Sequence, residues 1–456
     1  MHDLSKIVKA YDVRGIVPSE LDEDAARALG GAFIRLLGAT EIVTAHDMRE
    51  SSVPLATAFA AGATEQGANV IEAGLGSTDL LYFAAGSLDI PGAMFTASHN
   101  PAKYNGIKLC RAGAAPIGQD TGLREIRDLA QRGVDIPAGV TPGTVSRRDL
   151  LGAYAEYLHE LVGLPGIRPL KIVVDAGNGM GGLTVPAVLG DETALTIIPM
   201  YFELDGSFPN HEANPIEPAN LADLRRAVLA AGADLGLAFD GDADRCFVVD
   251  ERGDIVSPST ITALVASREL TREPGATVIH NVIVSRGVPD LVRELGGTPV
   301  RTRVGHSFIK AEMARTGAVF GGEHSGHFYF RDFWRADSGM LAALHVLAAV
   351  GEQARPASEL FAEFSRYSLS GEVNSEVADA HATMTEIEAA YAGAAASVDR
   401  LDGLTVDLGD GTWFNLRPSN TEPLLRLNVE APDDATMERV RDEILARVRA
   451  GGETTS

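Results

Sequence analysis

Three α/β domains of similar core followed by a smaller α+β domain are what this sequence predicts, and three observations carry the expectation. The chain has 456 residues, which at roughly 100–200 residues per domain is enough for three or four domains. Short apolar runs ending at Gly, Asp or Asn alternate with segments of helical period through most of its length, the pattern of βαβ units. After about residue 365 the text changes to closely spaced strands and a last helix, as antiparallel pairing in an α+β unit requires.

In chain order, EIVTAHDMR (41–49) reads as a strand leading into a helix over 52–67, and NVIEAGL (69–75) restarts the sheet. GAMFTASHNP (92–101) runs from an apolar strand into a polar loop. A second unit opens with KIVVDAGNGMGG (171–182), passes through LTIIPMYF (195–202) and a helix over 220–232, and closes with LGLAFDGDADRCFVVD (235–250). A third holds ATVIHNVIVS (276–285), a helix over 288–295, TPVRTR (298–303), a helix over 306–316 and AVFGGEHSGHFYF (318–330). The strand starts near 41, 171 and 277 resemble one another loosely. The last unit carries strand text at 404–408, TWFNLRPS (412–419) and LLRLNVEA (424–431), then a helix over 434–449. Domain limits are expected at 1–148, 149–250, 251–365 and 366–456.

Composition narrows the function classes. With 45% hydrophobic but only 6% aromatic residues, the interior must be built from Ala, Val, Leu and Ile. Lys and Arg total 39 against 63 acidic residues, a net charge of −24, which repels nucleic acid and anionic membrane surfaces alike. Neither is an expected partner, and a phosphorylated ligand would need a local basic island. Two cysteines, Cys110 and Cys246, are too few for a disulfide framework and suit a reducing compartment. The segment MHDLSKIVKAYDVRG lacks the apolar core of a signal peptide, and LAALHVLAAVG (341–351) falls short of the ~20 residues needed to span a bilayer. A soluble, cytoplasmic protein is expected.

The strongest local signal is Asp240-Gly-Asp242-Ala-Asp244-Arg245, set between two apolar strand runs. Three carboxylates at alternate positions, separated by the smallest residues, can wrap one hard cation. Magnesium there would keep open positions for a phosphoryl oxygen. An acidic turn that binds nothing is the bland alternative, but three unpaired like charges so close repel without a counter-ion. A calcium loop of the EF-hand kind would use Glu251 at its twelfth position, yet its sixth is Arg245 where the turn needs glycine, and the flanks are strands.

Thr96-Ala97-Ser98-His99-Asn100-Pro101 follows a strand and precedes Lys103, Asn105 and Lys108. A serine at a strand-to-loop junction presents its hydroxyl to a cleft, where nearby cations could hold a phosphate on it. Only about six lysines occur in the chain, and two lie close after Ser98. In isolation an Asn-Pro turn with polar decoration explains the segment equally well. Gly322-Glu323-His324-Ser325-Gly326-His327 offers groups suited to vicinal sugar hydroxyls, with metal binding by His324 and His327 the weaker reading. Arg417-Pro-Ser419-Asn420-Thr421-Glu422 has the make-up of a phosphate cradle, although an ordinary turn would also account for it.

In this order, TASHNPAKYNGIK, DGDADR, GEHSGH and RPSNTEP resemble the four signature loops of the α-D-phosphohexomutase superfamily. The resemblance implies four domains around a central cleft, each giving one loop, the last domain being the more mobile. It implies that Ser98 is a phosphoserine beside the metal, and that Asp240, Asp242 and Asp244 are the ligands of Mg2+. It places Arg245 in the active site, Glu323 and Ser325 on the sugar's O3 and O4 with His327 completing that loop, and Arg417, Ser419, Asn420 and Thr421 on the phosphate that is not being transferred. Tyr11 and Arg14, in KAYDVRG, resemble a substrate-contact segment. His99, Lys108 and His306 fall where the family has residues for proton transfer or phosphate contact. One departure is Ile283, with Arg286 nearby, where many bacterial members have lysine.

The implied reaction moves a phosphoryl group reversibly between O6 and O1 of mannose, and of glucose too, through a hexose 1,6-bisphosphate that also acts as activator. The general base would be His306 or Lys108. Hexose phosphates are the expected partners of a monomer or homodimer. The alternatives are a glucosamine-specific mutase, against which Ala243 stands where those relatives usually have glycine, a non-catalytic sugar-phosphate-binding relative, and a metal-dependent phosphatase.

Overall fold

A computed structural model describes residues 3–136, 138–419 and 424–450. Four sheets are present, one per expected domain. The first contains β1 (Val13–Ile16), β2 (Glu41–His46), β3 (Asn69–Leu75), β4 (Gly92–Phe95), β5 (Tyr104–Cys110) and β6 (Val145–Arg147) in the order β1-β5-β4-β2-β3-β6. The second contains β7 (Leu170–Asp175), β8 (Leu195–Met200), β9 (Leu235–Phe239), β10 (Cys246–Asp250) and β11 (Ile255–Val256) in the order β11-β10-β9-β7-β8. The third contains β12 (Thr277–Asn281), β13 (Thr298–Thr302), β14 (Phe320–Gly322), β15 (Phe328–Phe330) and β16 (Ala336–Asp337) in the order β13-β12-β14-β15-β16.

These three orders are one topology. Each sheet contains three consecutive parallel strands, β3-β2-β4, β8-β7-β9 or β13-β12-β14, followed by two antiparallel ones, β5-β1, β10-β11 or β15-β16, and the first sheet adds β6, parallel to β3, at its outer edge. The loose likeness among the strand starts near 41, 171 and 277 is therefore structural: all three are the second strand of the same motif. Central strands such as β4, β9 and β10 are buried along their whole length, which is why they read as continuous apolar runs. The switch from parallel to antiparallel occurs at one hairpin per sheet: residues 96–103 between β4 and β5, 240–245 between β9 and β10, and 323–327 between β14 and β15.

The fourth sheet is antiparallel, with β17 (Ser368–Glu376), β18 (Ser397–Asp399), β19 (Leu404–Asp407), β20 (Trp413–Pro418) and β21 (Leu424–Ala431) in the order β17-β21-β20-β19-β18. Two expectations shift at element edges. The run at 276–285 leaves the sheet at Asn281, and the stretch around Lys108 is β5 rather than loop. The second sheet also takes in β11, beyond residue 250.

Helices cover the sheets: α1 (Glu23–Leu37), α2 (Ser52–Glu65), α3 (Thr78–Ser87), α4 (Leu151–Leu161), α5 (His306–Thr316), α6 (Gly339–Gly351) and α7 (Asp434–Ala450) are those used below. A contiguous apolar core runs through the first three domains, joining Leu81 and Ala84 of α3, Tyr154 and Leu158 of α4, Val174 and Phe239 of the second sheet, Phe328 of the third sheet and Leu344 of α6. Domain four has its own core, built from Phe414, Leu416, Leu427, Val429 and Ile444. Its junction with domain three is polar: Arg286 Nη2 lies 2.7 Å from Asp407 Oδ2, Arg301 pairs with Asp399, and Val304 N donates to Asp402 Oδ2 at 2.8 Å. A polar junction of this kind permits relative motion where a shared core does not. None of the helices among the described residues is long and apolar enough to cross a membrane.

Two glycines allow α1 and α2 to touch. A Cβ on Gly62 would lie 2.0 Å from the carbonyl oxygen of Arg27, and one on Gly30 would lie 2.1 Å from that of Phe59. Alanine at position 62 gains up to about 1 kcal/mol of helix propensity but forces the backbones apart at a cost of about 1–3 kcal/mol. The clash dominates, so Gly62→Ala is expected to lower the urea midpoint, and an unchanged midpoint would show that the helices slide apart freely.

Candidate active site

The hairpins of the first three sheets converge. Ser98 sits in the left-handed region at φ 51°, a conformation that costs about 1–3 kcal/mol for a residue with a Cβ and is retained where its surroundings enforce it. Arg49 is the enforcing group. Its Nη2 donates to the carbonyl oxygens of Ser98 at 2.8 Å and Asn100 at 2.7 Å, and its Nη1 donates to those of Pro101 at 3.1 Å and Tyr104 at 3.0 Å. Asp47, buried like Arg49, pairs with Nε at 3.2 Å. From the other side Gly241 presses on the same loop, since a Cβ there would lie 2.4 Å from the Ser98 carbonyl oxygen.

That approach places Ser98 Oγ 2.8 Å from Asp240 Oδ2, to which it donates. Arg245 Nε also donates to this oxygen at 2.8 Å, and Arg245 Nη2 reaches His99 Nδ1, which lies 3.2 Å from Ser98 Oγ. Lys108 Nζ bridges Asp242 Oδ2 and Asp244 Oδ2, each at 2.6 Å. Burial would drive the Lys108 ammonium to lose its proton, but the two aspartates raise its pKa well above the usual lysine value. Burial likewise raises the Asp240 carboxyl, to about 7, while Lys108 holds Asp242 far below the carboxylate range despite its burial.

The donor set suits a hard divalent cation. One oxygen from each of Asp240, Asp242 and Asp244 can be chosen so that all lie within 4.8 Å of one another. Asp242 Oδ1 and Asp244 Oδ1 are buried without a hydrogen-bond partner, and an orphaned buried carboxylate oxygen is costly unless something fills the position. Lys108 and Arg245 balance two of the three acidic charges, so a cation is also what the electrostatics lack.

The residues of the 323–327 loop lie beside this cluster. Glu323 is buried; its Oε1 accepts from Asn281 Nδ2 at 3.1 Å and Gly305 N at 3.0 Å, and its Oε2 accepts from Tyr329 OH at 2.6 Å. Ser325 Oγ is 2.8 Å from His327 Nδ1, and His327 Nε2 is 3.6 Å from Asp244 Oδ1. A backbone bridge between Arg245 and His327 ties the acidic loop to the 323–327 loop. Tyr11 packs edge-on against His306, ring centroids 4.9 Å apart, and Arg14 Nη1 donates to Asn100 Oδ1 at 2.5 Å.

The two residues expected as general base sit in contrasting surroundings. Lys108 is held as an ammonium by two carboxylates, and burial near Lys310 pushes His306 down to about 3. Arg417, on β20, pairs with Glu372 Oε2 at 3.3 Å, and its charge reaches Tyr11 across the cleft. Ser419 N donates to Leu424 O at 2.8 Å, opposite which β21 begins; Asn420 and Thr421 lie outside the described residues. Ile283 is buried, and Arg286 is committed to Asp407 and the face of Trp413.

Sequence reading missed Arg49, Thr78, Asp79 and the buried Lys310–Asp337 pair, 2.6 Å apart beside Tyr82. The only signal for Arg49 was its place just after a strand, two residues from Asp47; nothing local marks the others. Arg49→Ala would strand buried Asp47 and four carbonyl oxygens, so a loss of about 3–5 kcal/mol is expected from urea unfolding; a loss below ~1 kcal/mol would mean that the Ser98 loop holds its own shape.

Comparison with known proteins places these features in context. Residues 5–135, 153–253 and 257–367 match α/β/α domains I, II and III of the phosphoglucomutase/phosphomannomutase family, and 372–447 match its C-terminal domain. The chain is 41% identical over 446 residues to the phosphohexose mutases of Xanthomonas campestris pv. campestris, covering 97% of this chain and 99% of that one. It is 40% identical over 445 residues to the phosphomannomutase of Escherichia coli strain K12, covering 96% and 97%. A crystal structure of a phosphoglucomutase/phosphomannomutase family protein from Burkholderia thailandensis superposes with a TM-score of 0.89 at 32% identity, covering 100% of this chain and 99% of that one.

Proposed function

The chain belongs to the phosphoglucomutase/phosphomannomutase family, and we propose that it interconverts hexose 6-phosphate and hexose 1-phosphate, acting on mannose and also on glucose, by way of a phosphoserine at Ser98. The observation that carries the reading is the meeting of Ser98 Oγ with Asp240 Oδ2 at 2.8 Å, a nucleophile and a metal-binding loop delivered by two different sheets. Phosphoryl transfer asks the protein mainly for positioning and for compensation of charge on the equatorial oxygens.

Asp240, Asp242 and Asp244 would hold Mg2+, with an oxygen of the Ser98 phosphate beside them, and the ion supplies Lewis-acid stabilisation of the transferring group when bound. Arg245 and Lys108 provide fixed positive charge on either side of the acidic loop. The bond from phosphorus to Ser98 Oγ breaks as a bond to the free hexose hydroxyl forms, and the hydroxyl proton must leave. His327, between Ser325 and Asp244, would take it; His99, its pKa lowered by burial and by Arg245, would orient Ser98 through Nδ1 at 3.2 Å. The resulting 1,6-bisphosphate turns end for end and returns its other phosphate to Ser98. Arg417, Ser419, Asn420 and Thr421 hold the phosphate that stays behind, and movement of domain four on its polar junction opens room for the turn. Tyr11 and Arg14 would contact the substrate from the amino-terminal segment.

Glu323 and Ser325 read O3 and O4, which glucose and mannose present alike, so the C2 epimer is left unread. Two buried cysteine thiols, Cys110 and Cys246, fit a cytoplasmic setting, and the enzyme works as a monomer or homodimer. Ser98→Ala is expected to cut isomerisation by roughly 10³-fold or more, with the phosphoserine vanishing from the mass spectrum. Retained isomerisation would rule out covalent transfer, and release of inorganic phosphate by the unaltered protein would indicate a hydrolase. The kcat/KM values for mannose 1-phosphate and glucose 1-phosphate are expected within about 10-fold of each other, both raised by hexose 1,6-bisphosphate; preference for glucosamine 1-phosphate would overturn the choice of sugar.

A further inference from the structure

Asp79 is fully buried in the first turn of α3, and its partners are three hydroxyls rather than a cation. Ser77 Oγ donates to its Oδ1, while Tyr154 OH and Ser338 Oγ donate to its Oδ2, each at 2.7 Å. The three donors come from three domains: Ser77 precedes α3, Tyr154 is on α4, and Ser338 precedes α6. A buried carboxylate is costly, and hydrogen bonds must compensate its lost hydration.

Two of those donors are helix N-caps. Ser77 Oγ accepts from Leu80 N at 3.3 Å and Ser338 Oγ accepts from Leu341 N at 3.1 Å, so each hydroxyl receives a proton from its helix and gives its own to Asp79. One carboxylate therefore pins the N-termini of α3 and α6 together. The neighbour of each pinned residue touches the acidic loop. Thr78 N donates to Asp242 O at 3.0 Å and Thr78 Oγ1 donates to Asp242 Oδ2 at 2.5 Å. Beyond Ser338, a Cβ on Gly339 would lie 2.7 Å from Arg245 O and 2.9 Å from Ala243 O. With Thr78 and Lys108 both holding Asp242 Oδ2, the oxygen left for a metal is Oδ1, the one that is buried without a partner.

We propose that Asp79 is a positioning residue: by clamping the N-termini of α3 and α6 against residues 240–245, it turns Asp242 Oδ1 toward the divalent-cation site. The inference rests on the reading of the acidic loop as that site. Ligand-orienting partners outside the coordination sphere typically contribute 10–100-fold in metal affinity, and the clamp should act on that scale.

Titration of the full-length protein with Mn2+, followed by the electron paramagnetic resonance of the free ion and without substrate, measures this separately from turnover. Asp79→Asn keeps the shape but leaves one oxygen where three hydroxyls need acceptors, and Thr78→Val removes the direct grip on Asp242. Both are expected to weaken Mn2+ binding by roughly 10-fold or more and to raise the Mg2+ concentration for half-maximal activity by a similar factor. If Asp79→Asn does not fold, Tyr154→Phe and Ser338→Ala, which each remove one donor, take its place under the same criterion. Folded variants that bind Mn2+ like the unaltered protein, with only stability or active fraction reduced, would make Asp79 a plain interdomain tie and end the proposal. An unaltered protein that fails to bind Mn2+ would instead sink the reading of the acidic loop itself, and the inference with it.

Discussion

Enclosing three carboxylates with Arg245 and Lys108 beside one hydroxyl, that of Ser98, is the constraint on which this molecule turns. Asp240, Asp242, Asp244 and Arg245 are almost wholly enclosed, so each charge is stabilised only by its neighbours and not by water. In such surroundings a misplaced charge costs several kcal/mol, whereas a well-placed one acts on a reacting phosphoryl group far more strongly than it would in solvent. Lys108 and Arg245 offset two negative charges and leave the third for a cation. The glycine at 241 is what brings this arrangement to within hydrogen-bond distance of Ser98.

The scaffold meets the constraint by repetition. One strand order is used three times, and each copy delivers its polar loop from the same hairpin, where a buried parallel strand meets its first antiparallel partner. Backbone pairing on both sides of such a hairpin fixes the loop's ends, so its side chains are placed by the sheet and not by the loop's own preferences. Because the three sheets share a continuous apolar core, the three loops hold their spacing. The fourth domain has a separate core and meets the third through ion pairs rather than through shared apolar packing.

Much of this architecture was legible from the residues. The apolar runs at 41–49, 171–175 and 235–250 mark buried strands because a central strand in a covered sheet has no wet face to show. The acidic loop was legible because its charges are adjacent in sequence and could not coexist without counter-ions. The Ser98, Glu323 and Arg417 loops were weak signals singly and became specific through their order along the chain. Lys108 was noticed for its proximity to Ser98, but it was read as loop, since a strand buried against Asp242 and Asp244 tolerates a lysine that local propensity does not favour. Arg49 went unseen because its function is to satisfy carbonyl oxygens of a loop some fifty residues away, and backbone acceptors leave no mark in a sequence.

By itself, then, the sequence determined the domain count, the strand text and the acidic loop at 240–245, since these depend on hydrophobic period and on charges that are chain neighbours. Only the tertiary structure decided which oxygen of Asp242 is left without a partner, that Lys108 bridges Asp242 and Asp244, that His327 lies beside Asp244, and that Asp79 joins three domains. Those facts are set by distance and burial between groups far apart along the chain, and protonation and hydrogen bonding respond to the neighbours a fold supplies.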